Sequence, residues 1–434
     1  MEFVRRRTGD GGGEVLAFVA LVGFAISTYA SIAHLIPALG ALRPALASAL
    51  LALASITIGR LAAGRPFSLD PPRGLFLIGL CVWALLSMIW TRAPEVTRPM
   101  VFELFKLAAI YLTVVNVVNS TARLSRLCFV IVICALAPAF GTIDRWRSGT
   151  DLIDGFRASW EGVYADPNHL SMTLVALVPL ALFFALSKRG LWQRAVAGVS
   201  AVSCVAAIVF THSRGGALGL ACSVGVWVLL GQKRVRAGLV ALALLVALVV
   251  FAPSSFWERT ETLGRFERDL SAMGRVFAWE ITADISRDRP MTGVGLGAFQ
   301  SAWGDYAPRE ARGISLVAHN IFLSVVGELG LLGFALLLGF VGSGLGGAFK
   351  VWRALSRERS VAASSDETLL GITRALIAGS AGFLLCDLFS GYLISAHFFF
   401  FWALLACCER VQARSAVLAT ASEATPARAR EALR

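Results

Sequence analysis

Apolar runs of about 17 to 25 residues, separated by short polar connections, repeat along nearly the whole chain, the length at which a helix crosses a bilayer core of about 30 Å. They predict twelve membrane-spanning helices: Glu14–Ile36, Leu39–Ile58, Gly74–Trp90, Pro99–Val118, Arg123–Ile143, Pro167–Leu186, Arg194–Thr211, Arg214–Leu230, Ala237–Ala252, Ala318–Ala348, Leu369–Gly391 and Leu393–Glu409. Every second connection is basic: Arg5/Arg6/Arg7, Arg60/Arg65/Arg73, Arg123/Arg126, Lys188/Arg189/Arg194, Lys233/Arg234/Arg236, Lys350/Arg353/Arg357/Arg359 and Arg410/Arg414. The positive-inside rule therefore puts both ends in the cytoplasm. The first run is long and no small-residue cleavage site closes it, so it reads as a retained span. One membrane domain over 1–410 is expected, followed by a tail over 411–434, rich in Ala, Arg and Glu, that frays in the cytoplasm.

This topology gathers the polar exceptions on the outer face, in Asp144–Asp166, the turn around His212, and the long connection Pro253–Val317. A connection of that length should hold structure of its own. Within it Met273, Phe277, Ile281 and Ile285 recur every four residues while Arg275, Glu280, Asp284 and Arg287 take other faces. That pattern predicts an amphipathic helix lying on the membrane surface and stopped by Pro290. The following GVGLGAF segment, Gly293–Phe299, has glycine spacing like a dinucleotide loop but no preceding strand; it reads as a tight turn that lets backbone approach backbone or substrate.

Composition narrows the class further. Hydrophobic residues make up 57% of the chain and charged residues 16%, with mean hydropathy +0.71, which excludes a soluble domain with a charged surface. The net charge of +12 lies in loop clusters rather than on a folded basic face, so it points to topology and not to nucleic acid. Eight cysteines fall in or beside apolar runs without CxxC spacing. They read as small buried residues, not as a disulfide framework or a zinc site.

Three outer segments carry candidate chemistry. Arg214 stands where the outer turn THSRGG re-enters an apolar run; its planar fork matches phosphate oxygens, against the plainer reading of an arginine that snorkels to headgroups. Arg275 opens the surface helix, where exposed N–H groups and a guanidinium both favour an anion. His319, beside Asn320 at the outer mouth of a long span, suits a general base, or else caps the helix. In GVYADPNH, Asn168 and His169 are placed to bond a sugar, Asn168 alternatively capping the sixth span, while Tyr164 and Trp160 offer aromatic faces to a glycan or anchor at the interface. With Arg157 and Asn320, Tyr164, Asn168 and His169 form the candidate substrate-binding set. There is no HExxH helix or DxD pair, and no metal is expected. Glu328 lies about 13 Å beyond His319 along a helix, too deep to assist it. Asp387 lies nearer the outer end of its span.

In this order and between apolar runs, GVYADPNHLSM, THSRGGALGLA, GRVFAWEITADISRDRPMTGVGLGAF and AHNIFLSVVGELGLLG resemble the O-antigen ligase and polymerase superfamily. The resemblance implies an all-α polytopic fold of the GT-C-like kind in the bacterial inner membrane, working on the periplasmic face without cofactor, metal or nucleotide. It implies an undecaprenyl-diphosphate-linked glycan as donor and a lipid A core sugar, a growing polysaccharide or a protein hydroxyl as acceptor. Carried over by motif, Arg214 and Arg275 match diphosphate-binding arginines and His319 the catalytic histidine. An O-antigen ligase is the favoured branch; a polymerase, a protein oligosaccharyltransferase and, from another class, a lipid-linked glycan flippase remain open.

Overall fold

In the computed structural model, residues 12–231, 238–239, 270–308, 316–357, 364–391 and 393–431 are described. We number its longer helices α1 Gly12–Tyr29, α2 Pro44–Ala62, α3 Arg73–Leu86, α4 Pro94–Val117, α5 Thr121–Cys134, α6 Leu136–Ser148, α7 Pro167–Leu186, α8 Leu191–Phe210, α9 Arg214–Leu229, α10 Leu270–Asp288, α11 Phe299–Tyr306, α12 Ile321–Arg357, α13 Ser364–Ser390 and α14 Ala396–Glu431. Among the described residues, eight helical stretches are long and apolar enough to cross a membrane, and Arg73–Ile89 and Arg214–Leu229 are shorter apolar helices. The chain is a polytopic, all-helical membrane protein.

The helices depart from the twelve expected spans where local chemistry intervenes. The first ends at Tyr29 rather than Ile36, because Ser31 adopts a left-handed φ of 49° that no α-helix continues. The fifth is α5 and α6 laid end to end around Ala135, just before Pro138, which has no N–H to donate to the preceding turn. Of the expected span Ala237–Ala252 only 238–239 are described; the rest of it, its basic flank Lys233/Arg234/Arg236 and the start of the long outer connection lie outside the described residues. The last span does not stop at Glu409: α14 runs through Glu431, over most of the expected tail, whose Ala, Arg and Glu are strong helix formers.

Among the described residues two cores hold the fold. The larger joins the spans, with α7, α9 and α13 packed together, α1 against α2, and α14 against α4. Between α2 and α3 the buried Asp70 accepts from Arg73 through both Nε and Nη2 at 2.8 Å and from the Tyr111 hydroxyl at 2.7 Å, tying α3 to α4. A second, separate core lies in the segment expected at the outer face, where Ala278, Ile281 and Ile285 of α10 meet Val294, Trp303 and Ala318. This corrects the picture of a helix resting on lipid: α10 is amphipathic, and the inner part of its apolar stripe is covered by protein.

The glycine turn makes the joint between that outer unit and the spans. Gly293, Gly295 and Gly297 all have positive φ, and α12 breaks its helical geometry at Gly330 (φ 67°). Around the break the two segments exchange backbone bonds: Val294 N–H to Gly327 O at 3.0 Å, Gly295 N–H to Glu328 O at 2.8 Å, and Leu331 N–H to Pro290 O at 2.8 Å. The Glu328 carboxylate accepts from the Gly297 N–H at 2.8 Å, just ahead of α11. Close approach of backbone to backbone is what the glycines permit.

Candidate functional site

Five helix termini converge at one end of the bundle, and four of them carry residues singled out from the sequence. The α13 C-terminus supplies carbonyls that have no partner within their own helix. Asn320 Nδ2 donates to Leu388 O at 3.1 Å, Arg275 Nε to Phe389 O at 3.1 Å, and His169 Nε2 lies 2.9 Å from Ser390 O. Side chains from the starts of α12, α10 and α7 thus close three consecutive carbonyls of one helix. The N-terminus of α9 meets the same point: a Cβ at Gly215 would stand 3.5 Å from the Phe389 Cβ, so Arg214 begins its helix beside the residue that anchors Arg275.

The entries to α9 and α12 share a construction. His212 (φ 50°) and His319 (φ 49°) both occupy the left-handed region, and the next residue caps the helix. Ser213 Oγ accepts from the Gly216 N–H at 3.1 Å, and Asn320 Oδ1 accepts from the Phe322 and Leu323 N–H groups at 2.9 and 3.1 Å. Left-handed φ in a non-glycine residue costs on the order of 1 to 2 kcal/mol and concentrates at functional sites. Capping therefore falls to Asn320, and the His319 imidazole is released from that duty. Burial, then the neighbouring Arg275 charge, pushes the proton affinity of His319 below the ordinary imidazole range, with Asp166 pulling the other way. The neutral form that a general base requires is favoured.

The remaining candidates are braces around this centre. Asp166 caps α7 through the Asn168 and His169 N–H groups at 2.7 and 3.1 Å, with Pro167 at the first helical position. Asn168 Oδ1 accepts from Arg157 Nη2 and from the Ser213 hydroxyl, each at 2.9 Å, and Arg157 Nε reaches Thr211 O at 3.2 Å. Arg157 and Asn168 thereby lock the α7 and α9 entries together. Tyr164, read from the sequence as a glycan contact, is 1% exposed. Its hydroxyl sits 2.9 Å from His397 Nε2 and 3.1 Å from the Tyr29 carbonyl, so its ring supports the loop from within. Trp160 lies under the Arg145 guanidinium at 5.2 Å.

Sequence reasoning missed Ser213, His397 and the α13 carbonyls. The Asp-Pro pair before Asn168 did carry a helix-start signal; His397 carried none. Among the described residues no group of three or more His, Cys, Asp or Glu side chains is placed to hold a metal ion.

Residues 199–338 match a family model described as O-Antigen ligase, and that segment contains Arg214, Arg275 and His319. Over 348 residues, 76% of either chain, the protein is 23% identical to the exopolysaccharide production protein ExoQ of Rhizobium meliloti (strain 1021). The chain therefore carries an O-antigen ligase family domain, set in a polytopic membrane protein distantly related to that exopolysaccharide production protein.

Proposed function

We propose that the protein transfers a glycan from undecaprenyl diphosphate to an acceptor hydroxyl on the periplasmic face of the bacterial inner membrane. The observation that carries this reading is the convergence of Arg275, His169 and Asn320 on the last turn of α13, beside His319 and the start of α9. His319 takes the proton of the acceptor hydroxyl as that oxygen bonds to the anomeric carbon. The glycosidic C–O bond to the diphosphate breaks, and the charge that grows on the leaving oxygens is met by the guanidinium groups of Arg275 and Arg214. Fixed cations at that place stabilise the transition state more than the ground state. One displacement inverts the anomeric centre. The diphosphate ester is already an activated leaving group, so the step draws on neither nucleotide nor metal.

A lipid A core sugar, a growing polysaccharide end and a protein hydroxyl all fit this chemistry. A lipid A core sugar makes the protein a ligase. The similarity of three-quarters of the chain to an exopolysaccharide production protein favours a growing polysaccharide end, which makes it a polymerase. Reconstitution with a defined undecaprenyl diphosphate glycan, offered either a lipid A core or only more donor, separates the first two by product mass. Polymer formed from donor alone supports polymerisation, a single glycan added to the core supports ligation, and glycan moved across the bilayer without a new bond overturns both.

A further inference from the structure

A second polar cleft opens on the outer unit, away from the centre just described. Its rim is formed by Arg92, Arg289, Ser301, Asp305 and Tyr306, and small apolar side chains such as Ala298 and Ala302 form its floor. The rim groups are held in place: Arg92 pairs with Asp305 at 3.3 Å, Arg289 with Asp288 at 3.5 Å, and the Tyr306 hydroxyl donates to Asp288 at 2.6 Å. The floor is rigid because Val294 and Ala298 belong to the outer core and to the glycine turn clamped on α12. An apolar floor with paired cations, carboxylates and hydroxyls at its edge matches a pyranose ring, which has an apolar C–H face and a polar hydroxyl rim.

The same helix carries both places. Arg275 lies near the start of α10, and Arg289 follows its end with a helical bond from its N–H to Ile285 O at 2.7 Å. Fourteen residues at 1.5 Å each put them about 21 Å apart along the axis. A glycan reaching from one to the other must be several sugars long. We propose that this cleft is a distal glycan subsite that holds the polysaccharide chain several sugar residues away from the transfer centre. The inference rests on the glycan-transfer reading for its substrate class, with the chain belonging to either donor or acceptor.

The test uses full-length protein in lipid nanodiscs and lipid-free oligosaccharides released from the surface polysaccharide of the producing cells, in one-repeat and multi-repeat lengths. Wild type should bind the longer probe about tenfold more tightly than the shorter, the effect of a few added hydrogen bonds. Ser301→Trp, an exposed position on the rim, and Asp305→Ala should abolish that difference. Equal binding of both lengths by wild type, or an unchanged preference in both variants, overturns the subsite. In transfer assays, the source of the chain is whichever of donor or acceptor loses its length advantage in kcat/KM in Ser301→Trp; if neither does, the subsite is again overturned. The binding arm needs no turnover. A protein that shows the length preference and transfers nothing would sink the transfer reading while leaving the cleft standing.

Discussion

Arg275 Nε donates to the carbonyl of Phe389 across 3.1 Å, joining residues 114 positions apart. One edge of the guanidinium is fixed by the end of α13, which orients its plane, while its charge lowers the proton affinity of His319. The same residue thus serves as a helix-end donor, a neighbour of the base and a candidate anion ligand.

That triple duty makes Arg275→Lys a sharper test than Arg275→Ala. A lysine keeps the charge but not the planar fork, so it cannot hold Phe389 O and a phosphate oxygen in one plane. Arg275→Ala should lower kcat/KM by about 100-fold or more, and Arg275→Lys should recover only part of that loss. Full activity in the alanine variant, measured in proteoliposomes, would remove the diphosphate assignment.

The pH profile follows from His319. Its proton affinity on folding is lowered from the ordinary 6.5, so the neutral base persists below that pH. The acid limb of kcat/KM should lie below pH 6.5, and Arg275→Gln, which removes a positive neighbour, should move the limb upward in pH. The stability sign agrees: the unfolded chain binds more protons in this window, so the contribution is complete above 6.5 and is lost as pH falls through the folded value. A limb that stays in place in Arg275→Gln would show that the two groups do not sense each other.

Gly293 tests the joint between the outer unit and α12. Its φ is 60°, and an added Cβ would stand 2.5 Å from the Gly327 carbonyl oxygen. Gly293→Ala should destabilise the protein by about 2 to 3 kcal/mol, combining backbone strain with a clash. Gly304→Ala, where nothing lies within 4 Å of the added Cβ, is the matched control and should be neutral. Thermal unfolding in detergent compares them, and equal midpoints would remove the claim that this turn is a fixed joint.

Tyr164→Phe separates internal support from glycan contact. Removing the hydroxyl leaves the Tyr29 carbonyl and His397 Nε2 without their partner, at a cost of about 1 to 3 kcal/mol. The thermal midpoint should fall while KM for the glycan donor stays the same. A raised KM at an unchanged midpoint would return Tyr164 to the substrate face.

The spans were readable in the sequence because bilayer-length apolar runs leave few alternatives, and their edges moved where Ser31 and Pro138 altered the backbone. Periodicity gave α10 its apolar stripe but not its cover, since a stripe of Ile281 and Ile285 reads alike against lipid or protein. The glycine turn was legible as a turn; its anchor was not. Distance along one helix kept Glu328 away from His319, yet it could not show a loop folding back to that carboxylate. His319, Arg275 and Arg214 stood out as polar residues at the outer ends of apolar segments. The carbonyls of Leu388, Phe389 and Ser390 that gather the site have no side-chain signature, so only three-dimensional placement reveals them.

The most direct test of the transfer chemistry is a single-turnover assay of His319→Ala in proteoliposomes, with donor binding measured on the same sample. Undecaprenyl diphosphate release and glycan transfer should both be lost, by about 100-fold or more, as for removal of a general base, while the donor still binds with wild-type affinity. Transfer at the wild-type rate in that variant would contradict the assignment of His319 as the base and return it to a purely structural position ahead of α12.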